Sequence, residues 1–391
     1  MKSPESWPKM SDAIKKLVGE ALTEIIESAK SGGPKVRVGL MASGSEHGSE
    51  EIAKGARLAI QSASNVIPVL IGPKVKGFED LEYIECEECD IPTRLEEAVK
   101  SGEVAGAVAM HFPFPLGVTT IGRVATPGRG RPMILASTTG TSSTVRGEAM
   151  LRNAVYGIAT AKALGVKNPT VGILNVDTAQ PVFRALSRMK EKGYDITFGT
   201  STRADGGSVL RGNDILTGAV DICVTDTLTG NVLVKMFSSF TTGGSYEATG
   251  WGYGPSCGEG WKNVVSIVSR ASGAPVIANA LSFTAMAVAG GLPEKVAEEL
   301  KAARKAGLDE EIEGLTPKAA KAEEEVKAPP AEPTDDELHG IDVLEIDNAV
   351  KVLWKEGIYA ESAMGCTGPV IKMPKRHMEK AAEILKANGY L

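Results

Sequence analysis

Aromatic residues make up only 5% of this 391-residue chain, it has four histidines and five cysteines, and no apolar run approaches the length of a membrane span. Each scarcity excludes something. A bilayer-crossing helix needs about 20 consecutive apolar residues, so no membrane span is read. The N-terminus lacks a positively charged region followed by an apolar run, so no secretory leader is read, and a cytoplasmic protein is expected. Five cysteines, an odd number spread over a long chain, fit free thiols in a reducing compartment better than a disulfide framework. Lys and Arg number 43 against 49 Asp and Glu, with no basic block, which argues against nucleic acid as a partner. One Cys-x-x-C pair, Cys86 and Cys89, lies among acidic residues, and the chain has few histidines to complete four ligands. No metal site is expected there.

Two nucleotide signatures are also missing. Neither a phosphate loop ending in Lys-Ser/Thr nor a Gly-x-Gly-x-x-Gly fingerprint occurs, so a nicotinamide dehydrogenase has no support.

What is present is a strand–helix alternation. Val36–Met41, Val66–Ile71, Ala105–Met110, Met133–Ala136, Val171–Val176, Asp195–Phe198 and Asp221–Thr225 read as strands. Pro92–Ser101, Glu148–Leu164 and Val182–Lys192 read as helices between them, giving an α/β fold with a mostly parallel sheet. Ahead of these, residues 10–31 carry Ile14, Leu17, Val18, Leu22, Ile25 and Ile26 at helical spacing, so 1–34 is expected as an N-terminal helix and 35–391 as the α/β body. Residues 238–260, rich in Gly, Ser, Thr and aromatics, read as a loop near a site or an interface, and Cys257 within it has no assigned role. Residues 293–340 read as a charged insertion, and its Ala/Glu/Lys/Pro run over 316–337 as a mobile linker. Residues 341–356 and 376–388 then read as amphipathic helices on either side of a short strand at 357–360.

Candidate chemistry lies in the connections. The first strand empties into Ser43-Gly44-Ser45-Glu46-His47, a Gly-rich turn before a helix, where backbone N–H groups and hydroxyls suit phosphate. His47 reads either as a general base or as a loop donor. A second, hydroxyl-rich stretch runs Ser137-Thr138-Thr139-Gly140-Thr141-Ser142-Ser143. Asp226, Asn231 and Lys235 follow the strand that holds Cys223, at the end where open parallel sheets place ligands, although Asp226 equally suits a helix N-cap. Cys223, between Ile222 and Val224, reads as inert core. Gly365-Cys366-Thr367-Gly368 is the fourth candidate: flanking glycines leave backbone N–H groups uncovered, and Lys372, Lys375, Arg376 and His377 follow with positive charge that favours a thiolate. A small buried cysteine in a Gly-rich turn is the competing reading of Cys366.

Four blocks in order, Val38–Gly48, Tyr156–Val176, Asp221–Lys235 and Gly365–Ile371, resemble the phosphate acyltransferases of bacterial phospholipid synthesis. Departures are Gly44-Ser45-Glu46 where those enzymes have Gly-Gly-Asp, the 316–337 segment, and Cys366 where they ordinarily have no cysteine. With these departures the chain looks like the smaller, phosphate-acyltransferase-like subunits of component C of glycine/sarcosine/betaine reductase complexes. The resemblance implies a doubly wound α/β fold, with helices on both sheet faces, like that of phosphotransacetylase and isopropylmalate dehydrogenase. It implies an acetyl thioester on Cys366, cleaved by inorganic phosphate to give acetyl phosphate without a further cofactor. It also implies two partners, a ketosynthase-like larger subunit and the small selenoprotein A. Ser43, Gly44, Ser45, Ser137, Thr138, Asp226, Asn231, Lys235, Gly365, Thr367 and Gly368 are then the expected substrate or phosphate contacts, with Cys366 and His47 catalytic. A stand-alone acyltransferase with a long-chain donor, and a scaffold subunit without chemistry, are the alternatives.

Overall fold

Strands whose residues are apolar at nearly every position belong where both sheet faces are covered. Val36–Met41 (β1) and Val66–Ile71 (β2) behave so, with Val38, Leu40, Val69, Leu70 and Ile71 fully buried. The computed structural model describes residues 35–391 apart from 64, 204–205, 317–325, 342–344 and 366–367, so the helix expected over 10–31 lies outside the described residues, as do Cys366 and Thr367.

The remaining strands of the main sheet are Glu82–Ile84 (β3), Gly106–Ala109 (β4), Val118–Ala125 (β5), Pro132–Gly140 (β6), Thr170–Leu174 (β7), Thr197–Phe198 (β8), Val209–Leu210 (β9), Ile222–Val224 (β10), Gly254–Gly258 (β11) and Val265–Ile267 (β12). Their spatial order is β3-β2-β1-β4-β12-β11-β5-β6-β10-β7-β8, with β9 beside β7. Pairing is parallel from β3 to β12 and from β6 to β8. Antiparallel β11 and β5 join the two parallel halves. Helices cover both faces, giving the doubly wound α/β architecture. Helix Ser49–Ser62 lies so close to Ala274–Ala289 that a Cβ on Gly55 would sit 2.6 Å from the Ile277 side chain. No single helix among the described residues is long and apolar enough to cross a membrane.

The charged segment expected as an insertion is folded into the body. Helices Leu292–Lys305 and Leu308–Leu315 bury Val296, Leu300, Ala303 and Leu308 in the core around helix Arg146–Ala163. Their apolar residues occupy one face, and the charges that dominate the composition occupy the other. Lys162 and Tyr194 fix Glu299 at 2.7 and 3.1 Å.

Beyond this body, Asp336–Leu338 (β13), Glu361–Gly365 (β14) and Gly368–Met373 (β15) form a second, antiparallel sheet in the order β13-β15-β14. With helices Ile346–Lys355 and Met378–Ala387 it encloses its own core of Ile346, Leu353, Ile371, Met373 and Leu385. The short strand expected at 357–360 is thus displaced to 361–365. The expected linker differs too. Its described part, 326–337, runs along this unit, with Asp335 accepting from the Lys375 amide at 2.7 Å, Glu332 paired to Arg376, and β13 laddered to β15. An acidic stretch facing a basic one is held by backbone pairing and charge together, which composition alone does not reveal.

The small unit is seated on the large one near the start of β5. The Met364 amide donates to the Phe114 carbonyl at 3.2 Å, and Pro115 bridges Ala363. Trp261 packs edge to face on Phe112 and Phe114 beside that contact, at ring-centroid distances of 6.4 and 6.1 Å, and the two Phe rings meet at a tilt, 5.0 Å apart.

Candidate active site

The ends of three strands, one helix and the β14–β15 hairpin converge on a cleft of about 470 Å³. β4 runs out into Met110 and His111, β12 into Ser269 and Arg270, and β6 into Thr139 and Gly140. Helix Thr227–Ser239 adds Asn231 and Lys235, the first loop adds Glu46, and the hairpin adds Met364 and Gly365. This is the ligand position expected for an open α/β sheet, outside strand termini where the chain changes direction.

Helix Thr227–Ser239 is positioned by two local features. Asp226 caps it, accepting from the Thr229 amide at 3.1 Å and the Thr229 hydroxyl at 2.6 Å. Gly230 lets it press onto β6, because a Cβ there would lie 1.8 Å from the Ser137 carbonyl oxygen. Asn231 then donates its amide to the Thr138 carbonyl at 3.0 Å, which fixes the side chain. Lys235 places its ammonium 5.7 Å from the Tyr253 ring centroid. Neither Lys235 nor Arg270 has a carboxylate partner among the described residues, so both cations are available to an anion in the cleft. His111 is half-buried, and burial pulls its imidazole below the usual histidine range. Glu337 opposes that shift, while Arg270 and Lys372 add to it.

A larger cavity of about 570 Å³ lies beside Trp261 and Asp347. Its cation, Arg152, is held by Glu148 at 2.8 Å and Glu259 at 3.4 Å, so the charge is already neutralised. Ser142 and Ser143 line it, bound to Asn153 and Glu148. The smaller cleft differs in that Lys235 and Arg270 have no carboxylate partner among the described residues.

A family model described as "Fatty acid synthesis protein" matches residues 36–372. The chain belongs to that family. The glycine/sarcosine/betaine reductase complex component C subunit alpha of Peptoclostridium acidaminophilum is 50% identical to it, over 97% of this chain and 99% of that protein. A phosphate acyltransferase from Thermotoga petrophila is 30% identical over 51% of this chain and 67% of its own. Among solved structures, a branched-chain phosphotransacylase from Enterococcus faecalis V583 aligns with a TM-score of 0.45 at 18% identity, covering 65% of this chain and 99% of its own.

Within this family member, the residues expected from sequence fall into three groups. Asn231, Lys235 and Gly365 line the cleft together. Ser137 and Thr138 do not. They are fully buried strand residues whose hydroxyls are used internally, Ser137 with Thr119 and Thr227 at 2.5 and 2.9 Å, Thr138 with Thr120 and the Tyr253 carbonyl at 2.8 and 2.6 Å. Asp226 is a helix cap, and His47 stands outside, its Nε2 3.2 Å from the Ala271 carbonyl and its ring 5.3 Å from that of Tyr246. Ser45 braces the first loop, its hydroxyl accepting from the His47 amide at 3.0 Å, and of that loop Glu46 lines the cleft while Ser43 and Gly44 do not. Cys366 and Thr367 lie outside the described residues, between Gly365 and its ladder partner Gly368.

Sequence reasoning passes over His111 and Arg270, and names Glu46 only as part of the Ser43–His47 loop. The signal for His111 was a histidine directly after an apolar strand, Ala105–Met110, in a chain with four histidines.

The described cysteines differ in reactivity. Cys223 and Cys257 are buried, Cys257 inside β11 rather than in a loop, and burial pushes each thiol up to about 12. Cys86 is half-buried and raised by the same cause, with Asp90 adding to it, whereas Cys89 is exposed. Native iodoacetamide labelling at neutral pH is therefore expected to leave Cys223 and Cys257 unmodified until denaturant is added, because thiolate rather than thiol reacts. Peptide mapping that finds either one alkylated in the folded protein contradicts this assignment.

Proposed function

We propose that this chain releases acetyl phosphate within a glycine/sarcosine/betaine reductase complex: an acetyl thioester on Cys366 is cleaved by inorganic phosphate. The observation that carries the reading is the cleft itself, where Gly365, the residue before Cys366, shares the walls with Asn231 and the cations Lys235 and Arg270. An acyl thioester cleaved by phosphate needs an anion site beside the acyl carbon, and the two cations of this cleft support that reading. Backbone N–H groups flanking the cysteine are suited to the oxyanion formed on attack. The resemblance to phosphate acyltransferases supports acyl transfer to phosphate, and the component C relative supports the complex.

A ketosynthase-like larger subunit is the proposed partner, with selenoprotein A as the source of the two-carbon group. Leu228, Val232 and Met236 on the helix that carries Asn231 and Lys235, and Phe240 at its C-cap, recur every fourth residue and are each 46–71% exposed. An apolar stripe of this kind bordering the cleft suits a subunit contact.

The test is a trapped intermediate. The assembled complex, given an isotopically labelled acetyl donor without phosphate and quenched in acid, is expected to carry label on the peptide containing Cys366, and added phosphate to remove it. Label found only on the larger subunit's thiol sinks the proposal.

A further inference from the structure

We infer that His111 is the proton-transfer residue of this cleft, taking the proton of the attacking phosphate and delivering it to the departing sulfur. The inference rests on the reading that an acyl thioester is cleaved by phosphate here, and holds whichever thiol carries the acyl group. Three observations lead to it. First, His111 follows β4 directly and lines the same cleft as Arg270, Lys235, Asn231 and Gly365. Second, its ring nitrogens have no hydrogen-bond partner among the described residues, whereas the other histidines are engaged: His47 with the Ala271 carbonyl, His339 with Glu337 at 3.2 Å, His377 with Arg376 at 3.1 Å. A half-buried imidazole facing a cleft without a partner is placed to serve a ligand. Third, its surroundings favour the neutral form. Burial acts first, and Arg270 and Lys372 reinforce it against Glu337, with Glu46 and Lys235 the other charged groups of the cleft. At neutral pH the ring is therefore a proton acceptor.

The chemistry balances without a further reactant. Hydrogenphosphate, held by Arg270 and Lys235, attacks the thioester carbon with its hydroxyl oxygen. A new C–O bond forms as the proton passes to His111 and the carbonyl pair moves to oxygen. The intermediate collapses, the C=O bond re-forms, the C–S bond breaks with its electron pair on sulfur, and the imidazolium returns the proton. Acyl phosphate dianion and thiol result. Proton transfer by a positioned group typically contributes about 10²–10⁴-fold.

Two measurements decide it. His111→Gln keeps an amide in place of the ring but cannot exchange a proton, so kcat for acyl phosphate formation in the assembled complex should fall by about 10²–10³-fold with the phosphate KM changed by less than about threefold. With phosphate kept saturating as hydrogenphosphate at every pH, wild-type kcat should drop as pH falls below the ordinary histidine value, and the variant should show no such limb. Arg270→Gln should instead raise the phosphate KM and keep the limb. The second measurement needs no variant: diethylpyrocarbonate should acylate His111 in the wild-type complex, and saturating inorganic phosphate should slow it. A His111→Gln protein with wild-type kcat and pH limb, or acylation indifferent to phosphate, overturns the inference. A wild-type complex that forms no acyl phosphate from thioester and phosphate overturns the functional reading instead.

Discussion

Replacing Cys366 with serine is expected to lower acyl phosphate formation by the assembled complex about 10³-fold or more. Thiolate is reached readily near neutral pH, and a serine hydroxyl is not, so the variant lacks a nucleophile able to accept the acyl group. Folding should be spared, because the swap exchanges one atom type with little change in volume. The thermal midpoint and co-purification with the proposed larger subunit are the controls. In the wild-type protein, iodoacetamide should label Cys366 ahead of the other cysteines, and prior acylation should protect it. The burial of Cys223 and Cys257 removes two competitors from that comparison. A Cys366→Ser complex turning over near the wild-type rate would leave acyl carriage to the partner and reduce this chain to delivering phosphate.

Gly230→Ala should be almost as damaging, through geometry rather than chemistry. In an open helix, alanine is preferred over glycine by about 1 kcal/mol, so a stabilising change would be the ordinary expectation. Here the added Cβ would meet the Ser137 carbonyl oxygen at 1.8 Å, a backbone atom that cannot swing aside. Relieving it means shifting helix Thr227–Ser239 off β6, and overpacking of this kind costs about 1–3 kcal/mol, enough to reverse the sign. The same shift would carry Asn231 and Lys235 out of place, and a misplacement near 1 Å can cost about 10²-fold in rate. Calorimetry and steady-state kinetics on one preparation check both effects. An unchanged midpoint with unchanged kcat/KM would show that the helix does not depend on this contact.

The strand–helix alternation is legible in the sequence, because β1, β2, β7 and β10 are short apolar runs and the intervening helices repeat at a helical period. The sequence also places Asn231 and Lys235 beyond a strand end, and both line the cleft. It did not show β5 and β11. Val118-Thr-Thr-Ile-Gly and Gly254-Pro-Ser-Cys-Gly carry hydroxyls or turn residues, and they become strands because each is the other's antiparallel partner across the join between the halves. Nor did it show which hydroxyls of the Ser137–Ser143 stretch are free. Strand β6 extends through Ser137 and Thr138 into Gly140, so the first two hydroxyls are consumed inside the sheet and Thr139 reaches the cleft. Periodicity is a one-dimensional signal, read within a dozen residues. The cleft is assembled from Glu46, His111, Thr139, Asn231, Arg270 and Gly365, positions far apart in the chain whose neighbourhood is fixed by sheet order and by the docking of a C-terminal hairpin on Phe114. Only that packing decides that His111, unremarkable as a residue after a strand, faces the cleft, and that His47, more conspicuous in its Gly-rich loop, does not.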